Sequence, residues 1–433
     1  MTPPIIGVLG LVALLVLIAV RVPVAIAMGT VGIVGGVILN GWFSLGFVLG
    51  SQPFVTTSSY ALSVIPLFVM MGAFASRAGL SSALYRSLHA LIGHWRGGLA
   101  SATIGACAIF GSVCGSSLAT AATMARVAIP EMTAIGYDRR LTSGALAAGG
   151  TLGILIPPSI IMVIYALLTE QSIGRMFLAG LIPGILAAVL YVGATWLVVR
   201  LEPSRAPLVP RASGAQMVSA VRDMWPVVCL FGLVMGGIYV GVFSPTEAAG
   251  VGAFGAILLA AYRRVLTWQV IRDALIETAG TTGMLFMILI GTSVLQFFIE
   301  TSTLPVVIVD WIGTIGLPPI GVIVMILLIY VILGCFLDSL SMMLITLPIV
   351  FPLVTALGYD PIWFGVLVVS VVEIGLITPP LGMNLFVITA STDDLKFETV
   401  ARGVVPYLMA DFIRVALLVM IPALSLGLPA LLM

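Results

Sequence analysis

The 433-residue sequence has little charge. Asp, Glu, Lys and Arg make up 8% of it, against about 25% in an ordinary soluble chain. A soluble fold of this size would need far more charge to cover its surface. A soluble enzyme, a nucleic-acid binder and a disordered chain are all excluded. The net charge of +1 offers no basic field, so no nucleic-acid partner is expected. Histidine is nearly absent. His89 and His94 stand five apart beside Arg86 and Arg96, which reads as an interfacial loop rather than a metal site. Cys107, Cys114, Cys229 and Cys335 have neither paired nor metal-ligand spacing and read as small buried thiols. No polar stretch is long enough to fold an extramembrane domain. The start of the chain lacks a basic region and a small-residue cleavage site, so its apolar run reads as a first span.

What is there is apolar. Hydrophobic residues make up 61% of the sequence, and mean hydropathy is +1.25. Apolar stretches reach about 18 residues or more, long enough to span as helices rather than barrel strands. Roughly ten to fourteen passes are possible at this length. The fold class expected is an all-α polytopic membrane protein in a lipid bilayer.

One offset, 222 residues, recurs from end to end. The triplet GYD at 136–138 returns at 358–360, and Pro157-Pro158 returns as Pro379-Pro380. Gly153 meets Gly375, Pro130 meets Pro352, and Ser117-Leu118 meets Ser339-Leu340. Near the starts, Pro4 meets Pro226, Gly10 meets Gly232 and Pro23 meets Pro245. A single register over three regions indicates a duplication, with halves at 1–222 and 223–433. Each half is predicted to hold spans at about 4–21, 23–42 and 60–80 (225–242, 245–262 and 281–300 in the second). An interrupted apolar stretch follows at 100–134 and 320–356, then a proline-broken span at 141–169 and 362–390. A last span closes each half at 176–200 and 404–430.

Charge decides whether the interrupted stretches cross. If each is a re-entrant hairpin, a half has five crossings and the second half is inverted. With the N-terminus outside, Arg21, Arg77, Arg86, Arg96, Arg139, Arg140, Arg200, Arg205, Arg211, Arg222, Arg263, Arg264, Arg272, Lys396 and Arg402 fall inside. Only Arg175 falls in an outside loop. Fifteen against one obeys the positive-inside rule. Full crossing would split the basic loops between sides. Two inverted-topology repeats with opposed hairpins are therefore expected, with both termini outside.

The chemistry is expected where helices stop. In hydrocarbon every backbone N–H and C=O needs a partner, so breaks are rare. Four stand in symmetric places: GSVCGSS at 111–117, TLGILIPPS at 151–159, GCFLDSLS at 334–341 and EIGLITPPLG at 373–382. Proline removes an N–H and frees upstream carbonyls, whose hard oxygens suit a small cation. Half-helix N-termini face an anion with partial positive charge. Paired breaks near the midplane point to a secondary transporter.

Asp338, at the second tip, is an acid at depth and needs a partner, for which a cation is the natural candidate. Its counterpart at the first tip is Ser116. Glu373, counterpart of Thr151, precedes the second break and reads either as part of that site or as a capped or protonated structural acid. Asn384 faces either a substrate or a backbone gap. Thr120 and Thr123 either line the first tip or bond back onto their own helix. Arg126 either meets a substrate carboxylate or snorkels to the interface. Asp411 and Arg414, three apart, read as a structural ion pair. Glu247, after Pro245, suits the first turn of a helix, in a structural or partner-contact role.

GSSLATAATMARVAIPEM at 115–132, with GYD and TLGILIPPS behind it, resembles the large membrane subunit of tripartite ATP-independent periplasmic (TRAP) transporters. SPTEAA at 244–249 is a second motif of that subunit. The resemblance covers essentially the whole chain. It implies an elevator-type transporter, with the hairpins and broken helices sliding against a scaffold of the remaining helices. It also implies sodium-coupled uptake of small organic acids, or carboxylates, in the bacterial inner membrane. A periplasmic binding protein would deliver the substrate. A small four-helix membrane subunit would pair with this one. No segment here matches that subunit, so it is encoded separately or the architecture departs from the usual one. No cofactor is implied beyond sodium as the coupling ion.

The sodium sites carry over to Ser112, Gly115, Ser116, Gly153 and Pro157 at the first tip, and to Asp338, Ser339, Ser341, Glu373 and Thr378 at the second. The substrate is expected near Ser117, Thr120, Pro158, Asn384 and Arg126. Cys114, inside the first tip, is not a residue the family requires. The rival is a stand-alone sodium/dicarboxylate or citrate carrier. An intramembrane enzyme is disfavoured, since no His, Asp or Cys group has catalytic spacing. A membrane scaffold would not need paired breaks.

Overall fold

A computed structural model describes residues 2–432 except Leu381, Asp393 and Asp394. Within them the chain is helical, with no strand among the described residues. The first half holds α1 (Pro3–Ala19), α2 (Val24–Ser58), α3 (Val64–Arg77), α4 (Leu80–Ile92) and α5 (Gly98–Cys114). It continues with α6 (Ser117–Ile135), α7 (Arg139–Leu155), α8 (Ile160–Leu168) and α9 (Ile173–Leu201). The second half holds α10 (Gly214–Tyr239), α11 (Pro245–Tyr262), α12 (Trp268–Thr301), α13 (Leu304–Ile315) and α14 (Pro319–Gly334). It ends with α15 (Ser339–Ala356), α16 (Pro361–Ile377), α17 (Met383–Ala390), α18 (Phe397–Met420) and α19 (Ala423–Leu432). Nine helical stretches among the described residues are long and apolar enough to cross a membrane.

The GYD triplets are stop-and-start signals. Gly136 (φ 89°) and Gly358 (φ 79°) take the left-handed conformation that ends a helix. Two residues on, Asp138 accepts from the N–H groups of Arg140 and Leu141, each at 3.1 Å. Asp360 does the same for Ile362 and Trp363 at 2.7 and 3.1 Å. Each aspartate thereby satisfies N–H groups that a helix start leaves unpaired. SPTEAA is a capping box. Ser244 Oγ accepts from Glu247 N at 3.3 Å, and Glu247 Oε2 accepts from Ser244 N at 2.8 Å. Pro245 opens α11, where its missing N–H costs nothing.

Two groups of helices pack together. In the outer group α2 lies along α12, α11 and α12 cover α3, and α10 runs beside α4 and α11. The inner body has α7 and α16 side by side at its centre, with α5, α6, α14 and α15 against them. Nearly every residue of the α7–α8 stretch is buried. The sequence sets 176–200 and 404–430 among the outer helices. Instead α9, α18 and α19 pack on one another and on α7 and α16. Local sequence does not show which neighbour these helices cover; Asp411 and Arg414 of α18 find part of their partnership on α9 and α16.

Other boundaries also differ from expectation. α2 runs past 42 to Ser58 through a kink at Gly41 (φ 75°, ψ 167°), and α12 is a single helix of 34 residues. The predicted 60–80 span is α3 alone, preceded by a 3-10 turn. Helices α4 and α13 are additional, and the last span divides into α18 and α19 before Pro422. His89 lies on α4 rather than in a loop, 2.7 Å from Glu131 of α6. Cys107 and Cys114 are buried as expected, but Cys335 is half-buried and Cys229 is exposed on α10.

Candidate functional site

Both breaks are real interruptions of helix. α7 stops at Leu155 and α8 starts at Ile160, with a cis Pro157-Pro158 bond between them. α16 stops at Ile377 and α17 starts at Met383, with a cis Pro379-Pro380 bond between them. Leu381, inside the second break, lies outside the described residues. Ser159 accepts from Met162 N at 3.4 Å to start α8.

Glycine lets each hairpin dock on its break. A Cβ on Gly111 would sit 2.5 Å from the Cα of Gly153, and one on Gly375 would sit 2.5 Å from the Cα of Gly334. Real side chains do not approach backbone so closely. The backbone of α5 therefore touches that of α7, and α14 touches α16, because no side chain intervenes.

At the first tip, Gly115 (φ 63°) ends α5 with its N–H on Gly111 O at 2.7 Å. A Cβ there would lie 3.3 Å from Pro158 O, so tip and break are adjacent. Ser116 caps α6 through Ala119 N at 3.4 Å, and its carbonyl accepts from Thr120 Oγ1 at 2.7 Å. A Cβ on Gly153 would lie 2.9 Å from Thr120 Oγ1 and 3.3 Å from Ser116 O. Gly115, Ser116, Thr120, Gly153 and the Pro157-Pro158 turn thus form one cluster rich in oxygen. Ser112 stands apart, with its hydroxyl on Ile109 O at 2.7 Å in an apolar groove between α5, α9 and α10.

At the second tip, Asp338 caps α15. It accepts from Ser341 N at 3.2 Å and from the Ser341 hydroxyl. It is half-buried, as is Ser339, and Ser341 is buried. Asp338 has no cationic side chain beside it among the described residues. Thr378 ends α16 and donates to Ile374 O at 2.6 Å. Glu373 is turned elsewhere. Its Oε2 lies 2.7 Å from Arg414 Nη1, both residues being fully buried. Glu373 therefore already has a protein cation, which reading the sequence did not anticipate.

Ser117 and Asn384 meet. Asn384 Nδ2 donates to Ser117 Oγ at 2.7 Å and to Ala147 O at 3.3 Å. Both residues are buried, so they brace α6 against α17 and α7. The open space lies beside them. A cavity of about 430 Å³ separates the body from the outer helices, lined by Ser116, Thr123 and Arg126 on one wall. The facing wall carries Ser76, Arg77, Glu277 and Thr281. Arg77 Nη1 pairs with Glu277 Oε2 at 2.6 Å. Arg126 is exposed and has no carboxylate partner among the described residues. Arg77, Glu277 and Thr281 were missed as lining residues; nothing in their local sequence shows which helices face each other.

Such an arrangement, polar helix ends held in a buried body beside a cavity, is a multi-pass helical membrane fold. Over 99% of the chain it is similar to the structure of the YdaH transporter of Alcanivorax borkumensis, with a TM-score of 0.67 and 14% identity, covering 100% of that chain. Residues 11–424 match the family described as the tripartite ATP-independent periplasmic transporter, DctM component, and the chain belongs to it. It is 37% identical over 383 residues to the C4-dicarboxylate TRAP transporter large permease protein DctM of Pseudomonas aeruginosa, covering 88% of this chain and 89% of that one. It is 32% identical to the sialic acid TRAP transporter large permease protein SiaM of Vibrio cholerae, covering 86% and 87%. These relatives are permeases, not enzymes.

Proposed function

We propose that the chain is the large subunit of a sodium-coupled uptake system for small organic acids in a bacterial inner membrane. It receives its substrate from a periplasmic binding protein and works beside a small four-helix membrane subunit. Two inverted repeats build it, each with a re-entrant hairpin and a broken helix. In support, Arg139–Leu155 and Pro361–Ile377 begin and end 222 residues apart.

The observation that carries this reading is the cavity between a buried body and an outer group of helices, with Arg126, Arg77 and Glu277 on its walls. The body, with both hairpins, both breaks and also α9 and α18, slides as an elevator against the outer helices. Sodium binds at each tip beside its break, where Ser116 O, Pro158 O and Thr120 Oγ1 cluster in the first half. In the second, Asp338 supplies a carboxylate and α16 ends beside α14. Arg126 supplies positive charge to an arriving carboxylate. Both termini face the periplasm, and Arg77 and Arg126 lie toward the basic, cytoplasmic side. The cavity then faces inward.

The test is uptake into proteoliposomes under an imposed sodium gradient, with a C4-dicarboxylate as first probe. Uptake is expected only with the binding protein and the small subunit both present. Equal uptake by this chain alone would support a stand-alone carrier instead.

A further inference from the structure

We propose that Arg414 is a positioning residue that ties the two helix breaks to each other, although it touches neither tip nor cavity. Arg414 is fully buried on α18. Its Nη1 lies 2.7 Å from Glu373 Oε2, its Nη2 lies 2.9 Å from Asp411 Oδ1, and Nη2 donates to Ser370 O at 3.2 Å. Tyr191 Oη of α9 donates to Asp411 Oδ2 at 2.7 Å. Tyr191 Oη also lies 3.4 Å from Thr151 Oγ1 of α7, a packing contact, since the Thr151 hydroxyl donates to Ala148 O at 2.8 Å. Four helices, α7, α9, α16 and α18, therefore meet in one polar knot whose side chains are all buried.

The placement of the knot gives it leverage. Thr151 and Glu373 hold the same place in α7 and α16, twelve residues after Arg139 and Pro361. Each stands two residues before the glycine on which a hairpin docks, Gly153 or Gly375. A path of contacts thus runs from α7, on which the first hairpin docks, through Thr151, Tyr191, Asp411, Arg414 and Glu373 to α16, on which the second docks.

The chemistry makes this path stiff. A guanidinium is a planar fork with fixed donor directions. Two carboxylates sharing it are held at set angles. Sliding α16 along α18 would leave a buried charge unpaired with no water to take its place, a strongly unfavourable outcome. Each break is therefore held relative to the other, and the tips shift together.

The proposed transport reading bears only on what the tips bind. Hydrogen–deuterium exchange of the full chain in lipid nanodiscs needs no ligand. Arg414→Met keeps the stem and removes the fork. Amides at 151–156 and at 373–378 are expected to exchange on the order of tenfold faster together, with α2 and α12 unchanged. Arg414→Lys is expected to fall between. Tyr191→Phe removes one hydroxyl and keeps the ring, including its edge-to-face contact with Tyr407 at 5.8 Å. It is expected to speed the 151–156 amides and those of α18 around Asp411, and to spare 373–378. Should Arg414→Met fail to fold, Tyr191→Phe alone decides. Faster exchange confined to 370–378 and α18 in Arg414→Met, or an unchanged 151–156 in Tyr191→Phe, overturns the proposal. Sodium-dependent thermal stability is the separate readout. If sodium stabilises wild type, Tyr191→Phe is expected to make the dependence shallower. If sodium does nothing to wild type, the sodium sites fail while the exchange result still stands.

Discussion

Asn384 and Ser117, 267 residues apart in sequence, share a buried hydrogen bond of 2.7 Å that joins the start of α6 to the helix beyond the second break. Asn384→Ala leaves the Ser117 hydroxyl and the Ala147 carbonyl without that donor. A loss of about 1–3 kcal/mol is expected for such a buried gap. Thermal unfolding of Asn384→Ala, Ser117→Ala and the double variant measures it. A coupling energy of at least about 0.5 kcal/mol is expected, because the two side chains bond to each other. Strictly additive effects would remove the bridge.

Gly375→Ala forces a methyl to about the distance at which Gly334 backbone already lies, 2.5 Å from the ideal Cβ. Separating α16 from α14 should cost about 1–3 kcal/mol and lower transport. Gly280→Ala is the control, since no atom lies within 4 Å of a Cβ there. It should be neutral or stabilising by up to about 1 kcal/mol, as alanine is the better helix former. Equal thermal midpoints for both variants would contradict the close contact.

Asp338→Asn separates charge from fold. Asp338 caps α15 through Ser341 N at 3.2 Å, and asparagine caps helices as well as aspartate does. Stability should therefore change by less than about 0.5 kcal/mol. Uptake should lose most of its sodium dependence. An unaltered sodium titration would remove Asp338 from the proposed ion site.

Arg126→Gln should spare stability and weaken uptake. The side chain is exposed, without a carboxylate partner among the described residues, so unfolding should shift by less than about 0.5 kcal/mol. The apparent KM for a dicarboxylate should rise about tenfold, the equivalent of about 1.4 kcal/mol. Arg77→Gln removes an ion pair whose partners are 26% and 47% exposed. Such a pair contributes about 0–1 kcal/mol, so its stability effect should also be small. An unchanged KM for Arg126→Gln would take it out of the substrate path.

Much of the architecture was legible because the membrane imposes strict local rules. The GYD triplets mark the repeat in the sequence, and the structure adds that Gly136 ends one helix and Asp138 starts the next. The doubled prolines had to break helices, since neither can donate to the preceding turn. The outer surfaces were less readable. Helices α4 and α13 are short, and the partners of Asp411 and Arg414 on α18 lie on helices that are distant in sequence.

The candidate site divides the same way. Gly115, Ser116, Thr120 and Gly153 came together because they lie close in sequence to a tip or a break. Glu373 did not follow. An acid beside a broken helix looks like an ion ligand until its neighbour is known. That neighbour, Arg414, lies 41 positions on, and only the packing of α18 across α16 delivers its guanidinium. Local signals along a chain determine where helices start, stop and break, because backbone hydrogen bonds are satisfied within a few residues. Which charge meets which is decided by helix packing in three dimensions. By itself the sequence determined membrane residence, the breaks and the 222-residue register. Tertiary structure alone decided that Glu373 pairs with Arg414, that Ser117 meets Asn384, and that Arg77 and Glu277 face Arg126 across the cavity.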